Sequence, residues 1–198
     1  TGEFTHIKNG VAGIGLSMFD NTAVFHSDGK LQGISFLYKK QYLSTSTYGP
    51  ILHEMAHRWA NWVVPTSYPG HWGNELGIKG QLNDVSANYA DIELYLMGLM
   101  DASEMTDPAS LYAYALIPAD QKPRVPSAVN SRKTCRVLLL ILSDRPLTAT
   151  EIQNYNNGAT LLARTDNPSQ QGTNFHKMTR GRGTLVVSGL DTLVKPTP

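Results

Sequence analysis

The stretch of sequence that decides the fold lies at residues 49–63 and reads GPILHEMAHRWANWV. Proline suits the first position of a helix, because the N–H that it lacks would be unpaired there in any case, and Pro50 stands at this position. Apolar residues then recur at the three- and four-residue spacing of one helical face: Ile51, Leu52, Met55, Trp59 and Ala60. Pro65 disfavours helical backbone at the residue before it. We therefore predict a helix at about residues 50–63.

Within this predicted helix lies the string His53-Glu54-Met55-Ala56-His57, which has the form HExxH. Residues four apart on a helix differ by about 40° in azimuth, so the two imidazoles can converge on one metal ion. Glu54 is close enough to act as general base for a water on that ion. Six histidines in the whole chain make this pattern rare by chance, at about 0.005 expected copies. Because zinc lowers the pKa of bound water to about 7, the string predicts a hydrolytic zinc site.

A catalytic zinc site needs a third protein ligand, which leaves the fourth position to water. We favour His71, which follows His57 in a glycine-flanked loop. The alternative third ligands are Glu93, on a second predicted helix, and Glu75. Two further carboxylates are weaker candidates: Asp84 and Asp91. Glu93 or Asp91 could instead orient a ligating histidine by accepting a hydrogen bond from its other ring nitrogen.

A peptidase also needs donors that stabilise the negative charge developing on the substrate carbonyl oxygen. Zinc supplies part of this stabilisation, and side chains of tyrosine, histidine or arginine commonly supply the rest. The candidates in this sequence are Tyr68, Tyr89, Tyr95 and His176. A structural role is the simpler expectation for each of them.

The composition restricts the class of protein. The chain has 198 residues, of which 41% are hydrophobic, and this is enough for one ordinary domain with a core. Its formal charge of +1 lacks the basic excess typical of nucleic-acid-binding proteins. No stretch approaches the roughly 20 apolar residues of a membrane span. The single cysteine, Cys135, excludes an intrachain disulfide, and we expect it to be a buried, inert thiol.

The remaining pattern predicts strands and helices in irregular order. The elements expected are a strand meander over the first 40 residues, including residues 11–19 and 33–39, a helix at about 88–100, a strand at 132–143 and a last strand at 184–190. Asp107-Pro108 indicates a further helix start. Thr148 and Glu151 form a capping box, which predicts a helix ending near Asn157-Gly158. Because strands and helices do not alternate regularly, the pattern favours the α+β class.

The HExxH string at residues 53–57 resembles the signature of the zincin superfamily of zinc metallopeptidases. The resemblance implies that His53 and His57 are zinc ligands and that Glu54 is the general base. It also implies an active-site helix under a twisted sheet, and a cleft in which an edge strand pairs with an extended substrate. The predicted strand near residues 33–39 is our candidate for that edge.

A narrower resemblance covers about residues 34–190. The pair His71-Trp72, followed by the segment ELYLMGL at residues 93–99, is similar to a group of bacterial secreted metallopeptidases, most of them uncharacterised. Two later segments are similar to that group as well, at residues 142–148 and 174–185. The resemblance implies a secreted protein, although the N-terminus of this chain has no signal-peptide pattern. The alternative ligand Glu75 resembles the zinc-binding glutamate that follows HExxH in gluzincin aminopeptidases. In this chain the glutamate lies one residue closer to the motif than it does in that family.

Together these observations predict a single zincin-like α+β domain over residues 1–198. We expect an N-terminal strand meander over the active-site helix, a helical middle, and further strands and a helix toward the C-terminus. The predicted cofactor is Zn²⁺ and the predicted substrate is a protein or peptide, cleaved internally because no obvious group would grip a substrate terminus. The alternative function is a zinc-binding domain without proteolytic activity, either a recognition module or an amidase for non-peptide substrates.

Overall fold

The computed structural model describes residues 2–37, 51–60, 62–63, 88–166 and 174–188 of the chain. The helices within these residues are α1 (Ile51–Ala56), α2 (Asp91–Met97), α3 (Pro108–Leu116), α4 (Ala149–Ala163) and α5 (Phe175–Met178). The strands are β1 (Gly2–His6), β2 (Lys8–Asn9), β3 (Phe19–Asp20), β4 (Gly33–Leu37), β5 (Thr134–Leu138) and β6 (Thr184–Ser188). This mixture of helices and small sheets is compatible with the predicted α+β class. None of the described helices combines the length and the apolar character that a membrane crossing requires.

The N-terminal sheet lies against the helix that carries the HExxH string. β1 and β4 pair in antiparallel orientation, from Gly2 opposite Leu37 to His6 opposite Gly33. Both strands contact α1. The predicted strand near residues 33–39 is therefore confirmed over β4, and its last two residues lie outside the described part of the chain.

The predicted N-terminal strand meander forms only in part. β2 and β3 pair over two residues each, and residues 10–18 between them form bends and irregular backbone where a strand was expected. The buried side chain of Asn9 explains this difference. Its amide group donates to the carbonyls of Val11 and Leu16, and its oxygen accepts from the N–H of Val11. These bonds fold the segment around one side chain and replace the ladder of a strand.

α2 is the most deeply buried helix of the described fold, since all seven of its residues are buried. The helix predicted at about residues 88–100 is confirmed in place but is shorter at both ends. It begins after Ala90, because the Glu93 carboxylate accepts a hydrogen bond of 2.7 Å from the Ala90 N–H. It ends where Gly98 adopts left-handed backbone with a φ of 74°, a conformation that favours glycine.

Three cationic side chains bind carbonyl oxygens at the C-terminal end of α2. They are Arg124, Lys133 and Arg182, whose donor nitrogens lie 2.7, 2.6 and 3.1 Å from the oxygens that they bind. A helix leaves its last carbonyls unpaired and carries partial negative charge at this end, so positive charge is favourable there. α2 is therefore held in place by side chains from three separate parts of the chain.

β5 and β6 form a parallel pair, from Thr134 opposite Thr184 to Leu138 opposite Ser188. The strand predicted at residues 132–143 is confirmed over the shorter range of β5. The strand predicted at 184–190 is confirmed over β6, and its last two residues lie outside the described part of the chain. The described pairing of the two strands ends with Leu138 opposite Ser188, the last residue of this segment that the structure describes. One face of β5 packs on the core, through Cys135 and Val137, whereas its other face is exposed.

The predicted helix from Thr148 is confirmed at its start and extends further than expected. The Thr148 hydroxyl accepts from the Glu151 N–H, so the capping box is formed. The expected end at Asn157-Gly158 is wrong, since α4 continues to Ala163. Buried residues recur at helical spacing through that point, namely Tyr155, Gly158, Ala159 and Leu162. The packing of this face on β6 and α5 outweighs the tendency of Asn-Gly to end a helix.

Candidate metal centre

The helix that carries the HExxH string is shorter than predicted. α1 ends at Ala56, whereas the sequence predicted a helix to about residue 63. After Ala56 the backbone tightens, because the N–H groups of Arg58 and Trp59 donate to carbonyls three residues earlier at 3.1 and 3.0 Å. The N–H of His57 still donates to His53 O at 3.3 Å. The two histidines therefore keep the one-turn relation on which the metal-site prediction depends.

The two imidazoles converge. Nε2 of His53 and Nε2 of His57 are 3.1 Å apart, and the two rings are perpendicular with centroids 4.6 Å apart. Two nitrogen ligands at 2.0–2.1 Å from a tetrahedral zinc ion would be separated by about 3.3–3.4 Å. The observed separation lies within about 0.3 Å of this value. The geometry of the pair therefore fits two ligands of one zinc ion.

Glu54 places a carboxylate beside the same point. Its Oε2 lies 3.9 Å from Nε2 of His57, and the residue is only 5% exposed. Donor atoms of His53, Glu54 and His57 all lie within 4.8 Å of one another. A buried carboxylate at this distance is close enough to take a proton from a water that lies between it and the histidines.

The described residues do not add a third ligand to this group. His71, Glu75 and Asp84 lie outside the described part of the chain, so their predicted roles stay predictions. Glu93 is described and is not in the cluster of possible metal ligands. Its carboxylate is buried at the N-terminus of α2, where Oε2 accepts the hydrogen bond from Ala90. Burial raises the pKa of Glu93 to about 7, although the hydrogen bond from Ala90 and the charge of Arg180 oppose this shift.

Asp91 joins three segments of the fold. Its carboxylate accepts hydrogen bonds from the backbone N–H groups of Thr106 and Asp107, at 2.8 and 3.0 Å, and from Arg180 Nη1 at 2.6 Å. Burial alone would raise the pKa of Asp91, but these three bonds lower it below its ordinary value. The structure thus gives Asp91 a bracing role, and neither of its oxygens belongs to the described His-Glu-His cluster.

The candidate oxyanion donors that the structure describes are engaged elsewhere. The Tyr89 hydroxyl donates to Leu52 O at 2.6 Å in the interior. The Tyr95 hydroxyl accepts from the Arg124 N–H at 3.1 Å, also in the interior. Nδ1 of His176 donates to Gly183 O at 3.0 Å. Tyr68 lies outside the described residues.

Arg58, directly after the second histidine, is a feature that the sequence pattern did not single out. It is only 8% exposed, its Nη2 donates to the side-chain oxygen of Gln32 at 3.0 Å, and its Nη1 has no hydrogen-bond partner among the described residues. Burial lowers the pKa of the Arg58 guanidinium. Burial likewise raises the pKa of the nearby Cys135 thiol. The sequence predicted a buried cysteine, and the structure leaves Cys135 partly exposed. No sequence pattern around HExxH predicts that the arginine after the second histidine is buried.

No protein-family model matches the chain, and no curated protein and no solved structure is significantly similar to it. The resemblance to zincins is therefore carried by the HExxH string and the narrower motifs of the sequence. The convergence of His53, Glu54 and His57 is the structural observation that bears on function.

Proposed function

We propose that the protein is a zinc-dependent peptidase that cleaves protein or peptide substrates internally. The observation that carries this proposal is the 3.1 Å separation of the His53 and His57 Nε2 atoms, with the Glu54 carboxylate 3.9 Å from the second of them. An HExxH zinc peptidase site combines two histidine ligands with a carboxylate that acts as general base, and the cluster of His53, Glu54 and His57 contains these three groups.

His53 and His57 would hold the zinc through Nε2. The third ligand would be His71, with Glu75 and Glu93 as the alternatives, and of these Glu93 would have to leave its bond to the Ala90 N–H. When bound, zinc supplies a Lewis acid that polarises the substrate carbonyl and lowers the pKa of a coordinated water to about 7.

Glu54 moves the proton in the proposed reaction. Its Oε2 takes a proton from the attacking water and then delivers it to the nitrogen of the leaving amine, so one carboxylate serves both steps of peptide hydrolysis. Glu54 is 5% exposed, and the electrostatic interactions of a carboxylate are stronger in a site from which bulk water is excluded. The group must nevertheless stay ionised before the reaction, and a zinc ion at the histidines would favour that form.

The substrate class and location are parts of the same proposal. An endopeptidase follows from the absence of any sequence feature that would bind a substrate terminus. A secreted location follows from the resemblance of residues 34–190 to bacterial secreted metallopeptidases.

Zinc content and peptidase activity, measured on the same preparations, test the proposal. We expect one zinc per chain in the wild type, loss of zinc in His53→Ala, and retained zinc with activity lowered at least 100-fold in Glu54→Gln, because the amide cannot accept the proton. Glu104→Gln is a matched control, since Glu104 lies on the surface and bonds Arg182 outside the cluster. It should keep both zinc and activity.

The outcomes separate the alternatives. A wild type that binds no zinc would overturn the whole proposal. A wild type that binds zinc but hydrolyses no peptide in a mixed-sequence library would favour the non-proteolytic alternative. Activity that survives in Glu54→Gln would show that another group is the base.

A further inference from the structure

α1 depends on tertiary contacts for its position. It has only six residues. An isolated helix of this length is unstable in water, because the conformational entropy lost in forming the first turn exceeds the free energy gained from its few hydrogen bonds. The orientation of both histidines is therefore determined by whatever holds the backbone of α1.

The Tyr89 hydroxyl binds that backbone directly. It donates a hydrogen bond of 2.6 Å to the carbonyl oxygen of Leu52, the residue before His53. The carbonyl carbon of Leu52 is bonded to the nitrogen of His53, and the peptide unit between them is rigid and planar. A donor that fixes the Leu52 oxygen therefore also fixes the orientation of the peptide plane that contains the nitrogen of His53.

Tyr89 is itself held on three sides. Its N–H donates to Met178 O at 2.9 Å, and Arg180 Nη2 donates to its carbonyl oxygen at 2.8 Å. Its ring makes an edge contact with Phe175, at a centroid distance of 6.3 Å, and the residue is 1% exposed. Arg180 is in turn bonded to Asp91 at 2.6 Å. These contacts fix the position of Tyr89, so its hydroxyl has little freedom to move with α1.

We propose that Tyr89 is a positioning residue of the metal centre: its hydroxyl holds the N-terminal half of α1 where His53 and His57 converge. This inference rests on the proposed function, since it concerns the same zinc site. The Tyr89 hydroxyl bonds the backbone of α1 and is not part of the His-Glu-His cluster, so its effect is expected on the affinity for zinc and on the geometry of the bound ion.

Tyr89→Phe keeps the ring and removes only the hydroxyl. We expect the dissociation constant for Zn²⁺, measured by competition with a chelating indicator, to rise about fivefold. This corresponds to about 1 kcal/mol, the net contribution of one neutral hydrogen bond. The visible absorption of the Co²⁺-substituted variant should differ from that of the wild type, because these bands depend on ligand geometry.

Tyr95→Phe is the matched control. It also removes a buried tyrosine hydroxyl bonded to the backbone, but the partner is the Arg124 N–H and not α1. Both variants should lose comparable stability, whereas Tyr95→Phe should bind zinc within twofold of the wild type. A purely structural role for Tyr89 would lower stability and leave the zinc affinity and the Co²⁺ spectrum unchanged.

Three results would contradict the proposal in different ways. Equal zinc affinity in the wild type and in Tyr89→Phe would overturn the positioning role and leave the proposed function intact. Equal weakening in both Phe variants would also overturn it, because the effect would then be general. A wild type that binds no zinc would overturn the proposed function, and the positioning role of Tyr89 with it. If Tyr89→Phe does not fold, Arg180→Lys loosens the same support, since lysine lacks the two-nitrogen fork with which Arg180 bonds Asp91 and Tyr89. This variant should also weaken zinc binding, and an unchanged zinc affinity would overturn the positioning role.

Discussion

Asp91→Asn is the substitution with the sharpest expected effect on the described fold. Asp91 is 1% exposed and accepts two backbone hydrogen bonds and one from Arg180. Asparagine has nearly the same shape, but it replaces one acceptor oxygen with an NH₂ donor and removes the charge. The variant therefore leaves a buried donor facing another donor and leaves Arg180 without its carboxylate.

The magnitude follows from the number and kind of bonds lost. Breaking a fully buried ion pair costs about 3–5 kcal/mol, and Arg180 is partly exposed, which reduces its share. At least one hydrogen bond to a charged acceptor is lost as well, at about 1.5–3 kcal/mol. We expect a decrease of about 3 kcal/mol in the free energy of unfolding. For a chain of this size this lowers Tm by about 6–12 °C.

Urea unfolding followed by circular dichroism measures this difference directly, provided that the slope with urea is unchanged. Asp166→Asn is the matched control, because Asp166 also pairs with an arginine, Arg164, but on the surface. Exposed pairs contribute about 0–1 kcal/mol, so the control should stay close to the wild type. If Asp91→Asn and Asp166→Asn unfold at the same urea concentration, the bracing role of Asp91 is refuted.

Two further predictions concern α2. Burial raises the pKa of Glu93 from its usual value of 4.5 to about 7. The contribution of the protonated Glu93 to the free energy of unfolding is therefore complete below about pH 4.5 and is lost as the pH rises to about 7. Glu93→Gln should flatten this fall in urea midpoints measured from pH 4.5 to 8, and an unchanged slope would contradict the assignment. Gly98→Ala should cost about 2–4 kcal/mol, because φ is 74° and a Cβ would collide with Arg124 and Ser131. Gly10→Ala, where a Cβ meets open space, should be nearly neutral, and equal midpoints for the two variants would exclude the strain.

The starts of α3 and α4 were predictable because short-range chemistry determines them. Asp107-Pro108 predicted a helix start, and the Asp107 side chain accepts from the Ser110 N–H at the beginning of α3. Thr148 and Glu151 form the predicted reciprocal cap of α4. In each case the donor and acceptor lie three residues apart, so no other part of the chain is needed to make the bond.

The ends of elements were predicted less well, because distant residues decide them. α4 passes the Asn157-Gly158 signal because its buried face continues against β6 and α5. α1 ends at Ala56, although its apolar spacing continues to Trp59 and Ala60. Asn9 replaces an expected strand by binding carbonyls up to eight residues away. Local patterns contain no information about such partners.

The sequence by itself determined the local part of the candidate site: residues 53–57 on one helical turn, with spacing alone sufficient to bring His53, Glu54 and His57 together. Only the tertiary structure decided what holds that turn. The bond from Tyr89 to Leu52 spans 37 positions and the pair of Asp91 with Arg180 spans 89. The physical reason is that a helix fixes the relation between residues i and i+4 through its own backbone, whereas its position in the molecule depends on burial and on hydrogen bonds to groups that only the folded chain brings near.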